Sequence, residues 1–237
     1  MLIKTKAIVI SALKYQEKSL IVKCFTESDG LKSYFVQSAF SNRKSSQKIA
    51  YFQPLTILEI EANHKNKGTL EHFKEIKLST SFHSINTNVF KSTIVMFLSE
   101  IIHNSIHEEE KNQDLFTFLE TALLWLDTHD EISNFHLILM LEMTKFFGFY
   151  PDDSDNDLKY FDSNDGVFTP FQGTNCLSEY ETHLLKKLMN LKFDSDQKIF
   201  AGIERQLILK ILLDFYTIHL DGFKKPKSLE VLKEVFS

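Results

Sequence analysis

The chain has 237 residues, of which 43% are hydrophobic and 25% charged, which is typical of a soluble globular protein of one large or two small domains. It contains no apolar run of about 18 residues, so no membrane span is predicted. Residues 1–6 lack the apolar block of a secretory signal, and we therefore expect a cytoplasmic location. Its two cysteines, Cys24 and Cys176, are too few for a disulfide framework or a four-cysteine zinc site.

The net charge of −5 conceals an asymmetry along the chain. Residues 1–80 carry 13 Lys and Arg against 7 Asp and Glu, a net charge of +6, whereas residues 81–237 carry 14 against 25, a net charge of −11. A polyanion is attracted to the first part and repelled by the second, so the division of charge predicts separate functions for the two parts. The alternative is chance clustering of charge on solvated faces.

The first 80 residues contain short apolar runs, the first of them rich in Ile and Val and the fourth alternating clearly at its end, which predicts β-strands. Asp29 and Gly30 form a turn signal between two of these strands and favour a hairpin. A polar, basic connection occupies residues 41–48. Five short strands favour a small closed barrel of the oligonucleotide-binding (OB) kind. The candidate strands lie at residues 3–13, 20–26, 31–36, 55–61 and 69–78.

Beyond residue 80 the apolar positions follow helical spacing instead. One segment, residues 135–147, is apolar almost all round, which predicts a buried central helix that Gly148 ends. Ser178 and Glu181 match the capping-box pattern at the start of a helix. The other candidate helices lie at residues 89–106, 115–126 and 203–220, with a short one that begins at Ser228.

Together these patterns predict an α+β fold in two domains. An N-terminal five-stranded OB-fold β-barrel for nucleic-acid binding occupies residues 1–80, and an all-α helical domain occupies residues 81–237. A short hairpin insertion without zinc is expected near residues 158–176, with its strands within residues 160–168.

Motifs for catalysis are weak in this sequence. His103 and His107 have a spacing that suits a metal, but the glutamate of the zinc-peptidase motif is missing, so surface histidines are favoured. No glycine-rich phosphate loop is present. We therefore expect a non-enzymatic protein without cofactor or metal. The alternatives are a protein-interaction scaffold and a metal-dependent nuclease whose acidic loop contains Asp152, Asp153, Asp155 and Asp157.

Candidate DNA contacts concentrate in the basic first part. Lysine and arginine neutralise phosphates, and aromatic rings among them offer faces on which bases stack. Residues in the polar connection at 41–48 are the strongest candidates because that connection is expected to be exposed. The proposed DNA-binding residues are Lys6, Lys14, Lys18, Lys32, Tyr34, Arg43, Lys44 and Lys48. Further aromatic residues among them are Tyr15, Phe35, Tyr51 and Phe52, although most strand aromatics belong to a core.

Several short motifs, taken in order, resemble the bacterial RecO family of recombination mediators. The N-terminal motifs are Ala7-Ile8-Val9-Ile10, Tyr15-x-Glu17-Lys18-Ser19, Phe25-Thr26 with Gly30, and Gln53-Pro54-Leu55-Thr56-Ile57-Leu58-Glu59. The C-terminal motifs are Tyr216-x-x-His219-Leu220-x-Gly222-Phe223 and Lys227-Ser228-Leu229-Glu230-Val231-Leu232. Each motif alone is weak, but their order and spacing are fairly specific and cover most of the chain.

This resemblance implies an OB barrel followed by a helical domain, with no chemical turnover. It also implies binding of single- and double-stranded DNA, strand annealing, and action with the RecR partner in homologous recombination repair of DNA damage. Such proteins engage the acidic tail of single-strand-binding protein and help to load RecA recombinase. Many members carry a four-cysteine zinc module after the central helix, but residues 158–176 contain only Cys176, so zinc is not carried over.

Overall fold

The structure is a computed structural model that describes residues 2–40, 49–65, 69–106, 111–195 and 199–236. The chain forms two compact units, which are described separately below. The first unit comprises Met1–Thr128 with Pro226–Ser228, and the second comprises His129–Lys225 with Leu229–Ser237. The domain boundary placed near residue 80 from the sequence stays a prediction. No helix among the described residues is long and apolar enough to cross a membrane.

The first unit is built on a five-stranded antiparallel sheet, which confirms the strands predicted from apolar runs and turn signals. Its neighbour order is β3-β2-β1-β4-β5. Gly30 begins β3 with a φ of +64°, a conformation that glycine adopts readily and that explains the turn signal at this position. The strands are β1 (Leu2–Tyr15), β2 (Ser19–Thr26), β3 (Gly30–Val36), β4 (Ile57–Asn63) and β5 (His72–Leu78).

The two edge strands approach each other at a single point. Tyr34 of β3 forms a parallel bridge with Glu71, which immediately precedes β5. Phe35 N donates to Glu71 O and Glu71 N donates to Ser33 O, both at 2.8 Å. We call this junction the seam. The sheet is OB-like, but the prediction of a fully closed barrel is wrong, because closure depends on strand tilt and register rather than on strand number.

The inner face of the sheet forms an apolar core. Val9, Val22 and Leu58 are fully buried there together with Tyr34. The opposite face of β1 carries Ile8, which is buried beneath helix α1 (Val89–Ser105). Helix α2 (Gln113–Thr128) packs on the same unit through Phe116, whose ring lies 5.9 Å from that of Phe25.

The second unit contains a buried central helix, α3 (Phe135–Phe147), which confirms the prediction from the sequence. Gly148 ends it in the left-handed conformation at φ +79°, as its position in the sequence predicts. Ser178 and Glu181 form the predicted capping box at the start of α4 (Glu179–Met189). The remaining helices of the described chain are α5 (Gly202–His219) and α6 (Leu229–Val235).

A small hairpin, β6 (Tyr160–Asp162) and β7 (Val167–Thr169), occupies the position expected from the sequence. Phe161 and Phe168 are buried on this hairpin and cluster with Leu185 and Phe215. Cys176 is the only cysteine near it, so the residues present do not fit a four-cysteine zinc site. Apolar packing holds the hairpin instead.

Candidate nucleic-acid interface

The outer face of β1, β2 and β3 exposes apolar side chains beside one another. A β-bulge between Val9 and Ser11 shifts the register of β1, so that Leu13 and Tyr15 point away from the core. Leu13 pairs with Ile21 on β2, and Ile21 pairs with Phe35 on β3. Leu13 is 64% exposed and Tyr15 is 44% exposed. A cluster of exposed apolar side chains such as this one indicates a binding surface.

Three rings on this face form a continuous row across the sheet. The rings of Tyr15 and Phe35 meet edge to face at 6.1 Å between centroids. Phe35 meets His72 in the same geometry at 5.9 Å. We call Tyr15, Phe35 and His72 the aromatic row. Rings of this kind serve as platforms for unpaired bases, because every base has a π-face.

Two of the predicted lysines lie close to Tyr15 in the chain, near the turn between β1 and β2, and are exposed. Lys14 precedes Tyr15 in β1, and its Nζ atom lies 5.7 Å from the centre of the Phe40 ring. Lys18 lies in the turn between β1 and β2. Neither lysine forms an ion pair with another of the described residues. Both ammonium groups are therefore available to phosphate. The aromatic row together with Lys14 and Lys18 is called the aromatic face.

A different part of the sheet surface carries lysines that are already paired. Lys4 Nζ lies 2.6 Å from Glu61, and Lys77 Nζ lies 2.9 Å from Glu75. Hydrogen bonding to these carboxylates raises the pKa of both lysines. We call the groove that these residues line the paired face; its members are Lys4, Thr5, Lys6, Glu59, Ile60, Glu61, Glu75 and Lys77. Equal numbers of lysines and glutamates there leave little net attraction for a polyanion.

Lys6, one of the predicted DNA contacts, belongs to this paired face. Its Nζ donates to Glu120 Oε1 of α2 at 2.8 Å, and this hydrogen bond raises the pKa of Lys6. A phosphate would have to compete with Glu120 for this ammonium group. The structure therefore places Lys6 away from the aromatic face and in an existing ion pair.

Two other predicted contacts, Lys32 and Tyr34, lie inside the unit. Lys32 is only 7% exposed and Tyr34 is not exposed at all. The Tyr34 ring stacks on Phe73 at 4.0 Å between centroids, so neither of its faces is open to a base. Residues alternate between the two faces of a strand. Tyr34 therefore points into the core, and its neighbour Phe35 takes the outward position that the sequence interpretation gave to Tyr34.

The strongest candidates from the sequence, Arg43, Lys44 and Lys48, lie outside the described residues, so their contact with DNA stays a prediction. His72 and Leu13 were missed by the sequence interpretation. Alternation along β1 could not have identified Leu13, because the β-bulge between Val9 and Ser11 reverses the faces of the residues that follow it. His72 lies beside Phe35 only because the seam brings β3 and β5 together.

The acidic loop considered for a nuclease is exposed throughout residues 152–157. Hydrogen bonds from the Ser154 side chain and backbone to Asp152 lower the pKa of Asp152. Within the described ranges, no three His, Cys, Asp or Glu side chains are grouped so that they could hold a metal ion. His107, the second member of the His103 pair, lies outside those ranges.

The sheet and its aromatic row define an OB-like protein with a helical extension. The family model described as "Recombination protein O N terminal" matches residues 1–82, and the model described as "Recombination protein O C terminal" matches residues 86–230. The chain belongs to the RecO family, which confirms the resemblance drawn from its motifs.

Curated relatives agree with this assignment over the full length of the chain. The chain is 70% identical over 237 residues to the DNA repair protein RecO of Flavobacterium johnsoniae. It is 69% identical over 238 residues to that of Flavobacterium psychrophilum, and 37% identical over 243 residues to that of Bacteroides fragilis strain ATCC 25285. Each match covers 100% of both chains.

Proposed function

We propose that this protein is a non-enzymatic DNA-repair mediator that binds single-stranded DNA on its aromatic face. The observation that carries the proposal is the aromatic row of Tyr15, Phe35 and His72, with the exposed Lys14 and Lys18 close to Tyr15 in the chain. Membership of the RecO family, whose curated relatives are named DNA repair proteins, supports the repair role.

The chemistry of the face favours single strands over duplexes. Bases of a duplex stack on one another and cannot stack on side chains, whereas unpaired bases can use the aromatic row. Stacking on protein rings is worth about 1–3 kcal/mol per base with little sequence preference. Lysine–phosphate contacts bind single and double strands alike and weaken with added salt. We therefore infer binding of both forms of DNA, with the aromatic row selecting for unpaired bases.

The same proposal includes strand annealing and loading of RecA on DNA coated with single-strand-binding protein, in concert with RecR. These activities and partners follow from the family resemblance. A platform that holds unpaired bases by stacking keeps their hydrogen-bonding edges open to a complementary strand, which is the condition that annealing requires.

An acidic partner tail needs a cation beside an apolar pocket, and the second unit offers one at Arg205. Its Nη1 donates to Phe200 O at 2.7 Å, while its Nε is buried without a hydrogen-bond partner among the described residues. Leu209, Leu232 and Phe236 line the same pocket. We propose that Arg205 anchors the tail of single-strand-binding protein.

Calorimetric titration with a peptide of that tail tests the anchor. We expect Arg205→Ala to weaken binding about tenfold, since hydrogen bonds to charged groups are worth roughly 1.5–3 kcal/mol. Lys145→Ala is the matched control, because Lys145 already pairs with Glu142 at 2.7 Å. Equal losses in the two variants would show that the pocket is not the docking site.

The function as a whole is tested by annealing of complementary strands coated with single-strand-binding protein. We expect the protein to accelerate annealing and to leave the strands intact when Mg²⁺ is added. No acceleration, together with no DNA binding at low salt, would overturn the proposal in favour of a protein-interaction scaffold. Cleavage that Asp153→Asn and Asp155→Asn abolish would overturn it in favour of a nuclease.

The basic connection at residues 41–48 is tested in the same assay. Reversal of Arg43, Lys44 and Lys48 to glutamate is expected to weaken DNA binding and to reduce its salt dependence, because each lost phosphate contact lowers the slope of log K against log salt. Unchanged binding would remove these three residues from the interface and leave the aromatic face as the proposed site.

A further inference from the structure

The aromatic row crosses the seam, the weakest junction of the sheet. Phe35 lies on β3 and His72 lies on β5, and these strands are not neighbours in the sheet order. Their backbones are joined by the two hydrogen bonds between Glu71 and residues 33 and 35, whereas neighbouring strands pair over six or more residues. The distance between the Phe35 and His72 rings therefore depends on closure of the seam.

A group of side chains that contact one another lies beside the same junction, behind the sheet. Tyr34 Oη lies 2.7 Å from His64 Nε2. Burial raises the pKa of Tyr34, so the phenol stays protonated and shares a hydrogen bond with the imidazole. His64 Nδ1 lies 3.2 Å from Asp29 Oδ2. This group thus links β3 to the residue that follows β4 and to the turn that precedes β3.

Glu71, the bridge residue, and Phe73, two positions further along the chain, are anchored as well. Glu71 is buried, and its Oε1 accepts a hydrogen bond from Lys65 N at 2.8 Å. Phe73 stacks on Tyr34. Tyr34 therefore contacts both the His64 segment and β5, and its loss from this position would release both.

We propose that Tyr34, His64 and Asp29 are positioning residues that hold the seam closed and so align Phe35 with His72 for base stacking. This inference rests on the proposed binding of single-stranded DNA at the aromatic face. None of the three residues needs to touch DNA, since Tyr34 and His64 are buried behind the row. Their effect on binding passes through the geometry of the two rings.

The test uses Tyr34→Phe, which keeps the ring on Phe73 and removes only the hydroxyl. An oligonucleotide that carries 2-aminopurine reports stacking by fluorescence quenching, and a salt series reports phosphate contacts. We expect about tenfold weaker binding and loss of quenching, because roughly one stacked base is lost. The salt slope is expected to stay unchanged, since the lysines are untouched.

Two further variants separate positioning from general stability. His64→Gln retains an acceptor for the Tyr34 hydroxyl and is expected to bind within about threefold of the original chain, whereas His64→Leu is expected to behave like Tyr34→Phe. Ile60→Val is the matched control, because it removes one buried methyl group from the same core without touching a seam hydrogen bond.

The outcomes distinguish this inference from the proposal on which it rests. Suppose that Tyr34→Phe binds the oligonucleotide normally and quenches the 2-aminopurine fluorescence normally, while Tyr15→Ala and Phe35→Ala lose binding. The positioning role is then wrong, and the aromatic face is retained as the binding site. Equal losses of affinity in Tyr34→Phe and Ile60→Val would show that the hydrogen bond at Tyr34 contributes only to stability, which would also overturn the inference. Normal binding by Tyr15→Ala and Phe35→Ala would overturn both.

Discussion

The paired face and the aromatic face contain similar numbers of lysines, but these lysines differ in how accessible they are to DNA. On the paired face, Lys4, Lys6 and Lys77 each have a glutamate oxygen within 3 Å of the ammonium nitrogen. On the aromatic face, Lys14 and Lys18 are exposed and form no ion pair with a described residue, and Lys14 lies over the exposed Phe40 ring. The net charge of +6 in residues 1–80 therefore does not by itself locate the interface.

The two faces differ in the free energy that is required for a phosphate to contact a lysine. A phosphate that approaches the paired face must displace a carboxylate or bind beside it, and the repulsion offsets much of the attraction. A phosphate at the aromatic face meets an ammonium group without such a competitor. The adjacent rings add stacking energy that the paired face cannot supply. Pairing and ring exposure, rather than the count of basic residues, separate the two faces.

The largest effect is expected from removal of the rings. The double change Tyr15→Ala with Phe35→Ala is expected to weaken binding of a single strand about 100-fold, because roughly two stacked bases are lost. Duplex affinity is expected to change less than about threefold, because it depends on phosphate contacts. Fluorescence anisotropy with labelled single and double strands measures both quantities.

The control for that change is Leu78→Ala, which removes another exposed apolar side chain of the sheet. It is expected to leave the affinity for single strands unchanged. A loss as large as that of the ring variant would mean that apolar surface in general, and not the aromatic row, is responsible.

An intermediate effect is expected from charge reversal. Lys14→Glu with Lys18→Glu is expected to weaken DNA binding about tenfold at low salt and to reduce the salt slope by about 1.4, since each single-strand phosphate contact contributes about 0.7. The matched variant is Lys4→Glu with Lys77→Glu, which changes the net charge equally on the paired face. We expect it to weaken binding less than threefold by the same titrations. Equal losses would contradict the distinction between the faces.

The smallest effect is expected at Lys6. Replacement of Lys6 by Gln removes its ion pair with Glu120, which is partly exposed and worth about 0–1 kcal/mol of stability. Chemical denaturation should detect a change within that range, and DNA affinity is expected to stay within twofold. A loss of affinity comparable to that of the Lys14 and Lys18 variant would restore Lys6 as a phosphate contact.

Local signals account for the parts of the fold that the sequence predicts well. Short apolar runs between turn signals identified the five strands, and the Ser178 capping box and Gly148 marked helix ends, because each of these depends on neighbours a few residues away. Closure of the sheet was not predictable in this way. The seam joins Tyr34 to Glu71 across three intervening strands of the sheet order.

The candidate site was predicted only in part, for the same reason. Aromatic residues and lysines in the first part of the chain pointed to the sheet that carries the candidate site, but the choice between Tyr34 and Phe35 depends on strand register. The ion pair of Lys6 joins residues 114 positions apart, so no local pattern indicates it. Burial of Lys32 likewise follows from packing rather than from its sequence neighbours.

Photo-cross-linking of a single strand that carries 5-iodouracil, followed by mass spectrometry of the peptides, tests the central claim most directly. We predict cross-links at Tyr15, Phe35 and His72, with none on the peptides that contain residues 59–61 and 75–77 of the paired face. Cross-links concentrated on those paired-face peptides, with the aromatic row unmodified, would contradict the account.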